Sequence, residues 1–217
     1  PATPGRLRAA YAHDEVLGGM ARLAASSGVI VAFTVSEGEA GSGKRAMYLV
    51  GPRGVIGKHH QTHKPPGPRF ETMPLGGEPC PIVNTPLGKI GMMVAAEAFV
   101  PEVARALMLR GAEILLVCAD DPPAPLPGIV RCRADENRVF VACAAAPTAH
   151  GASMIVDPAG RVLAQAVEGR ELSVSATVNR ALSHLKTMAP VTDVVRNRQP
   201  ETYGALTRTE ALAGRVI

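Results

Sequence analysis

The chain contains no tryptophan, and aromatic residues make up only 3% of its 217 positions. Its core must therefore be assembled from aliphatic and sulfur-bearing side chains, and the aromatic platforms on which unpaired bases stack are scarce. Long apolar runs are lacking as well. Nowhere do about 18 consecutive apolar residues occur, so hydropathy gives no membrane span. Cysteine is sparse. Cys80, Cys118, Cys132 and Cys143 form no C-x-x-C pair and show no zinc-ligand spacing. At this length and density they do not make a disulfide framework. They read as reduced, mostly buried thiols of a cytoplasmic protein, and no signal peptide is visible. No cofactor or metal is expected. Charge of one sign is not in strong excess either: 23 Lys and Arg face 19 Asp and Glu, a formal net charge of +4. The one dense basic stretch is Lys58, His59, His60, His63 and Lys64. It has no interleaved Tyr or Trp, so it reads as a solvated loop, and nucleic acid is not an expected partner.

What is present is a chain with 47% hydrophobic residues, long enough to bury a sizeable core as one unit over 1–217. Apolar positions at helical spacing (Leu7, Tyr11, Val16, Leu17, Met20, Leu23, Ala24) predict a helix over about 5–25, stopped by Gly28. A β-branched run at 28–37 predicts a strand. Residues 46–60 read as two strands about a Gly-Pro-Arg-Gly turn, a hairpin. The Pro- and Gly-rich stretch 61–80 is a functional loop or a linker, and the strand-like sequence on both sides favours a loop. A second hairpin turns at Pro86-Leu87-Gly88 into the apolar strand Ile90–Val94. Pro101 and Glu102 then mark a helix start, the acid sitting where the helix dipole favours it. Strands are read at 111–120 and 138–146, with a short helix GIVRCRADEN between them. A third hairpin turns at Asp157-Pro158-Ala159-Gly160. ELSVSATV reads as a partly alternating strand, and the tail 179–217 as a helix (NRALSHLKT) followed by polar, irregular sequence. Mixed crossovers and hairpins imply an α/β layered fold with mixed sheets and helices outside.

Several segments in order resemble the nitrilase, or carbon–nitrogen hydrolase, superfamily. GPRGVIGKHHQTH at 51–63 resembles its G-P-x-G-x-I-x-K-Y-R-K-x-H segment. The stretch TPLGKIGMMVAAEAFVPEVARALMLRGAEILL, from Thr85, resembles its nucleophile elbow and following helix. RADENRVFVACA, GASMIVDPAGRVLA and the tail DVVRNRQPETYG resemble three further segments. Together they span residues 28 to 204. The resemblance implies an α/β/β/α sandwich with mixed sheets. It also implies a Cys nucleophile that forms a thioester, a Glu base and a Lys that stabilises the oxyanion, because a thiolate needs a base and developing charge needs a fixed donor.

Carried over residue by residue, those roles are not filled. The gapless register from Ile90 to Glu102 puts Ala95 at the nucleophile position, followed by Ala96 and Glu97. The register from Lys58 to His63 puts Gln61 at the lysine position. The family's Glu lies upstream of the helix at 5–25, so the fold is expected to lack the family's first strand and helix. Glu37, although it ends a strand, is not that base. The reading is therefore a catalytically inactive relative with a ligand-binding, regulatory or scaffolding role, whose pocket candidates are Gln61, Ala95, Glu97, Cys118, Arg133 and Glu136. The alternative is an active amidase-type hydrolase using Cys118. Cys118 ends the strand after the elbow helix, and a buried structural thiol is favoured there because Asp120 and Asp121 would raise its pKa. His59 and His63 share one face of an extended segment and His60 the other, and a structural role is preferred to metal ligation. Arg133, Glu136 and Asn137 are read as a structural polar face. The resemblance further implies a homodimer with Arg105, Leu109 and Arg133 near the contact, and a small amide- or carboxylate-bearing ligand.

Overall fold

The computed structural model describes residues 13–38, 44–63, 75–76, 81–120, 125–147 and 153–207. Helix α1 (His13–Ser27) leads into an antiparallel three-stranded sheet of β1 (Val31–Glu37), β2 (Lys44–Gly51) and β3 (Gly54–His60). Gly28 ends the helix at φ +67, a conformation that glycine adopts without penalty. The part of the predicted helix before His13 lies outside the described residues. Leu23, read as inward-facing, is exposed; Ala24 carries the contact instead.

The second sheet has six strands in chain order: β4 (Ile82–Thr85), β5 (Gly88–Val94), β6 (Ile114–Ala119), β7 (Phe140–Ala145), β8 (Met154–Val156) and β9 (Val162–Gln165). Its centre, β5–β6–β7, is parallel, and both flanks are antiparallel. Parallel neighbours need crossover connections, which α2 (Pro101–Leu109) and α3 (Leu126–Asn137) supply. Pro101 opens α2 with Glu102 in its first turn, as the sequence indicates.

Strand alternation sorts the side chains into three apolar layers. Ala46, Tyr48 and Val50 of β2 face α1 together with Ala24. Met47 and Leu49 of the same strand meet Ile90, Met92 and Val94 of β5 between the two sheets. Met93 of β5 and Leu115 and Val117 of β6 face α2 and α3, where Leu107 and Val130 close the layer. The result is the expected α/β/β/α sandwich with mixed sheets. At Gly91, a Cβ would lie 2.9 Å from Leu115 Cδ2 and 3.1 Å from Leu107 Cδ2, so the absence of a side chain lets α2 seat against the sheet.

Three expectations need correction. Lys58–His60 are not a solvated loop; they form most of the last half of β3, with His59 buried at 2% exposure. Residues 171–178 form no strand. The helix expected at 179–187 is one short 3-10 turn, Arg180–His184, and the tail then folds into a small hairpin of β10 (Thr187–Ala189) and β11 (Thr192–Asp193). The loop expected at 61–80 lies mostly outside the described residues.

Candidate functional site

The parallel strands β5 and β6 end side by side, with Val94 paired to Cys118. Crevices beyond the carboxyl ends of parallel strands are where open α/β sheets hold ligands. Immediately after β5 the chain turns into a 3-10 helix, Ala95–Phe99, whose third residue is Glu97. β3 of the other sheet ends next to it, at His60–Gln61.

Glu97 is fully buried, and its carboxylate is occupied by its own chain. Oε1 accepts the backbone N–H and the hydroxyl of Thr62, each at 2.7 Å. Oε2 accepts the Val94 amide at 2.7 Å, which reaches back across the turn as a capping carboxylate does. The Nε2–H of His59 donates across both oxygens, at 3.0 and 2.8 Å. Burial pushes the Glu97 carboxyl up, but the bond and charge of His59, with the two amides, outweigh it and hold the group below the ordinary carboxylate value. This one side chain ties the end of β5 to the end of β3 across the two sheets.

Gln61, 1% exposed, is fixed beside it. Its Nε2 donates to the His63 carbonyl at 2.6 Å, and its backbone amide donates to the Arg45 carbonyl at 2.8 Å. The first bond settles the orientation of the side-chain amide, because only the nitrogen can donate. Oε1 is then a buried acceptor with no hydrogen-bond partner.

Cys118 lies on the face of β6 that packs between the sheets. Burial pushes its thiol up to about 11, with Arg45 pulling weakly the other way. The cause differs from the acidic neighbours that the sequence suggested: Asp120 is paired with Arg45 at 2.9 Å. Cys143 is pushed up by burial to about 12, and the exposed Cys132 is raised by burial and by Glu136. Among the described residues no thiol has the lowered pKa of a nucleophile. Cys80 lies outside them.

The structure thus brings Gln61, Ala95, Glu97 and Cys118 to one end of the sandwich. Arg133 reaches the same turn from behind, its Nε donating to the Ala98 carbonyl at 2.9 Å. Glu136 does not reach it; it pairs with Arg133 and faces the C-terminal segment. His59 and His60 lie on opposite faces of β3, as alternation requires. Among the described residues no group of three His, Cys, Asp or Glu is placed to hold a metal, and no helix is long and apolar enough to cross a membrane.

A second polar hub lies on the α1 side of the first sheet. The Glu37 carboxylate accepts from Lys58 Nζ at 2.7 Å, His60 Nε2 at 2.7 Å and the Tyr48 hydroxyl. Burial raises this carboxyl, but those three bonds pull it down to about 2. Sequence reasoning noted Glu37 only as a strand end. Period-two spacing of Lys58 and His60 was the available signal, but it does not show which strand lies opposite.

A family model described as carbon–nitrogen hydrolase matches residues 5–184. The human deaminated glutathione amidase is 34% identical over 152 residues, 65% of this chain and 43% of that protein; the bovine enzyme is 33% identical over the same shares. The chain therefore spans less than half the length of these two relatives. An (R)-stereoselective amidase from Pseudomonas sp. is 30% identical over 201 residues, covering 86% of this chain and 72% of that enzyme. Among solved structures, a carbon–nitrogen hydrolase from Helicobacter pylori G27 superposes with a TM-score of 0.80 at 21% identity, over 91% of this chain and 78% of that one.

Proposed function

The chain belongs to the carbon–nitrogen hydrolase family, and from that premise we propose that it is an amidase-like domain that binds a small amide- or carboxylate-bearing molecule without thioester chemistry. One observation carries the reading: the turn after β5 begins with Ala95 where the family motif has its thiol, and the adjacent carboxylate, Glu97, is saturated by its own chain. No proton acceptor is left over beside the turn from Glu97, and Gln61 brings a neutral amide where the motif has a cation. The free Oε1 of Gln61 suits a ligand that offers an N–H. A cysteine-to-alanine variant of the amidase from Nesterenkonia sp. AN1, a structural relative at 21% identity and TM-score 0.64, is in complex with butyramide. In that protein an amide is held without the thiol, which supports binding here in the same sense.

A second reading, an active amidase working through Cys118, is favoured by the curated relatives, which include amidases. It requires a thiolate at a site where burial holds the thiol near 11. The two readings separate in one experiment. The purified chain is titrated with butyramide and other short amides by ligand-observed NMR, while ammonia release is followed in parallel. Binding without turnover, unchanged in Cys118→Ser, is the expected result. Turnover that Cys118→Ser abolishes establishes the second reading, and absence of binding to any amide or carboxylate overturns the first.

A further inference from the structure

The segment that follows β3 carries a second polar side chain besides Gln61, and the elbow fixes its state. Thr62 lies against the Glu97 carboxylate through both its amide and its hydroxyl. His63, the next residue, is exposed, and its Nδ1 lies 2.9 Å from the Thr62 hydroxyl oxygen. Distance alone leaves open which of the two donates. The Glu97 carboxyl decides it: held below its ordinary value, it is ionised at neutral pH and can only accept. The one hydroxyl hydrogen of Thr62 is therefore spent on Oε1, at 2.7 Å. The Thr62 oxygen can then only accept from His63, so Nδ1 carries a hydrogen. In the neutral ring the other nitrogen, Nε2, is then a bare acceptor. Among the described residues it has no hydrogen-bond partner.

Two residues earlier, Gln61 is left in the same condition. Its Nε2 is spent on the His63 carbonyl, and its buried Oε1 has no partner. The family motif has a lysine at this position, a donor that meets a ligand's oxygen. Here the two side chains present acceptors instead.

We infer that His63 is a specificity-determining residue of the elbow site: its Nε2, with Gln61 Oε1, takes the hydrogens of a ligand NH₂ group, so that the site selects primary amides and ureas over carboxylates. Thr62 is the positioning residue that sets the tautomer of the ring. This rests on the amide-binding reading above and narrows it. A primary amide carries two N–H hydrogens, one for each acceptor. A carboxylate at neutral pH has none, and would set its oxygens against two lone pairs. A site built on hydrogen bonds rejects the analogue that lacks them, because its buried polar groups are then left unpaired.

The test uses the whole chain, titrated with butyramide, N,N-dimethylbutyramide and butyrate by ligand-observed NMR. Butyramide should bind about tenfold tighter than either of the others, the loss of roughly one hydrogen bond. His63→Ala should weaken butyramide by a similar factor. His63→Gln, which puts an amide oxygen near the position of Nε2, should regain most of it. The Gln61 bond goes to the backbone carbonyl of His63 and survives both substitutions, and melting temperatures check the fold. ¹⁵N NMR of the imidazole reads the tautomer directly: hydrogen on Nδ1 in the wild type, a mixture of both tautomers in Thr62→Val. Equal binding of butyramide and either comparison ligand overturns the inference, as does full affinity in His63→Ala. So does hydrogen on Nε2 in the neutral wild-type ring. If the wild type binds none of the three ligands, the amide-binding reading falls and takes this inference with it, whereas binding that is indifferent to His63 overturns the inference alone.

Discussion

Replacing Glu97 by glutamine changes one oxygen to NH₂ and leaves the shape intact, yet it should cost about as much as a large core truncation. Each carboxylate oxygen serves a different backbone amide: Oε1 takes Thr62, and Oε2 takes Val94. Whichever way the glutamine amide is flipped, its NH₂ faces one of those N–H groups, and the His59 ring N–H bridges both positions. One donor is therefore always left buried against another donor. Breaking a buried pair while leaving its partner in place costs about 3–5 kcal/mol. For a chain of this size that lowers the melting temperature by roughly 10 °C or more. Thr62→Ala, which removes the hydroxyl's bonds to Glu97 and to His63 Nδ1 but keeps the backbone amide bond, should lose about 1–2 kcal/mol. Urea unfolding followed by circular dichroism measures both. A loss below about 1 kcal/mol for Glu97→Gln would refute the claim that this carboxylate clasps the two sheets together.

Glu37 gives a pH signature. Its folded value of about 2 lies below the ordinary 4.5, so its contribution is complete above about pH 4.5 and is lost as the pH falls toward 2. Glu37→Gln should flatten that acid limb of stability in thermal melts at stepped pH, and an unchanged limb would remove Glu37 as its source. Thiol accessibility should be ordered by burial and thiol pKa: iodoacetamide at pH 7.5 labels the exposed Cys132 first, the partly buried Cys118 with its raised pKa much more slowly, and the buried Cys143 only on unfolding, as read by peptide mass spectrometry. Early labelling of Cys118 would contradict its raised pKa. Gly91→Ala places a methyl 2.9 Å from Leu115 Cδ2, an overpacking that should cost about 1–3 kcal/mol in chemical denaturation. A neutral result would show that α2 is free to shift.

Much of the fold was legible because its signals are local. The strand pair at 46–60 with its Gly-Pro-Arg-Gly turn, the Pro-Glu start of α2 and the Gly28 stop each depend on a few neighbouring residues. The segment 171–178 alternates as a strand should, but a strand also needs a neighbour to accept its ladder of hydrogen bonds, and in the described residues it has none. The basic 58–64 stretch misled for a related reason: composition suggested solvent, while pairing with β2 drew His59 into the interior.

The sequence by itself determined which atoms are available. It placed an alanine at position 95, an amide at 61 and few aromatic residues anywhere, and no folding alters those facts. Only the tertiary structure decided what the remaining groups do. Glu97 and His59 are 38 residues apart and meet because two sheets stack. Cys118 is held protonated by the apolar layer closing over β6, and Arg105 and Arg198 share a cleft because the C-terminal segment folds back across α2. Charge, burial and hydrogen bonding act through space, and spacing along the chain carries no record of which distant segment will supply the other half.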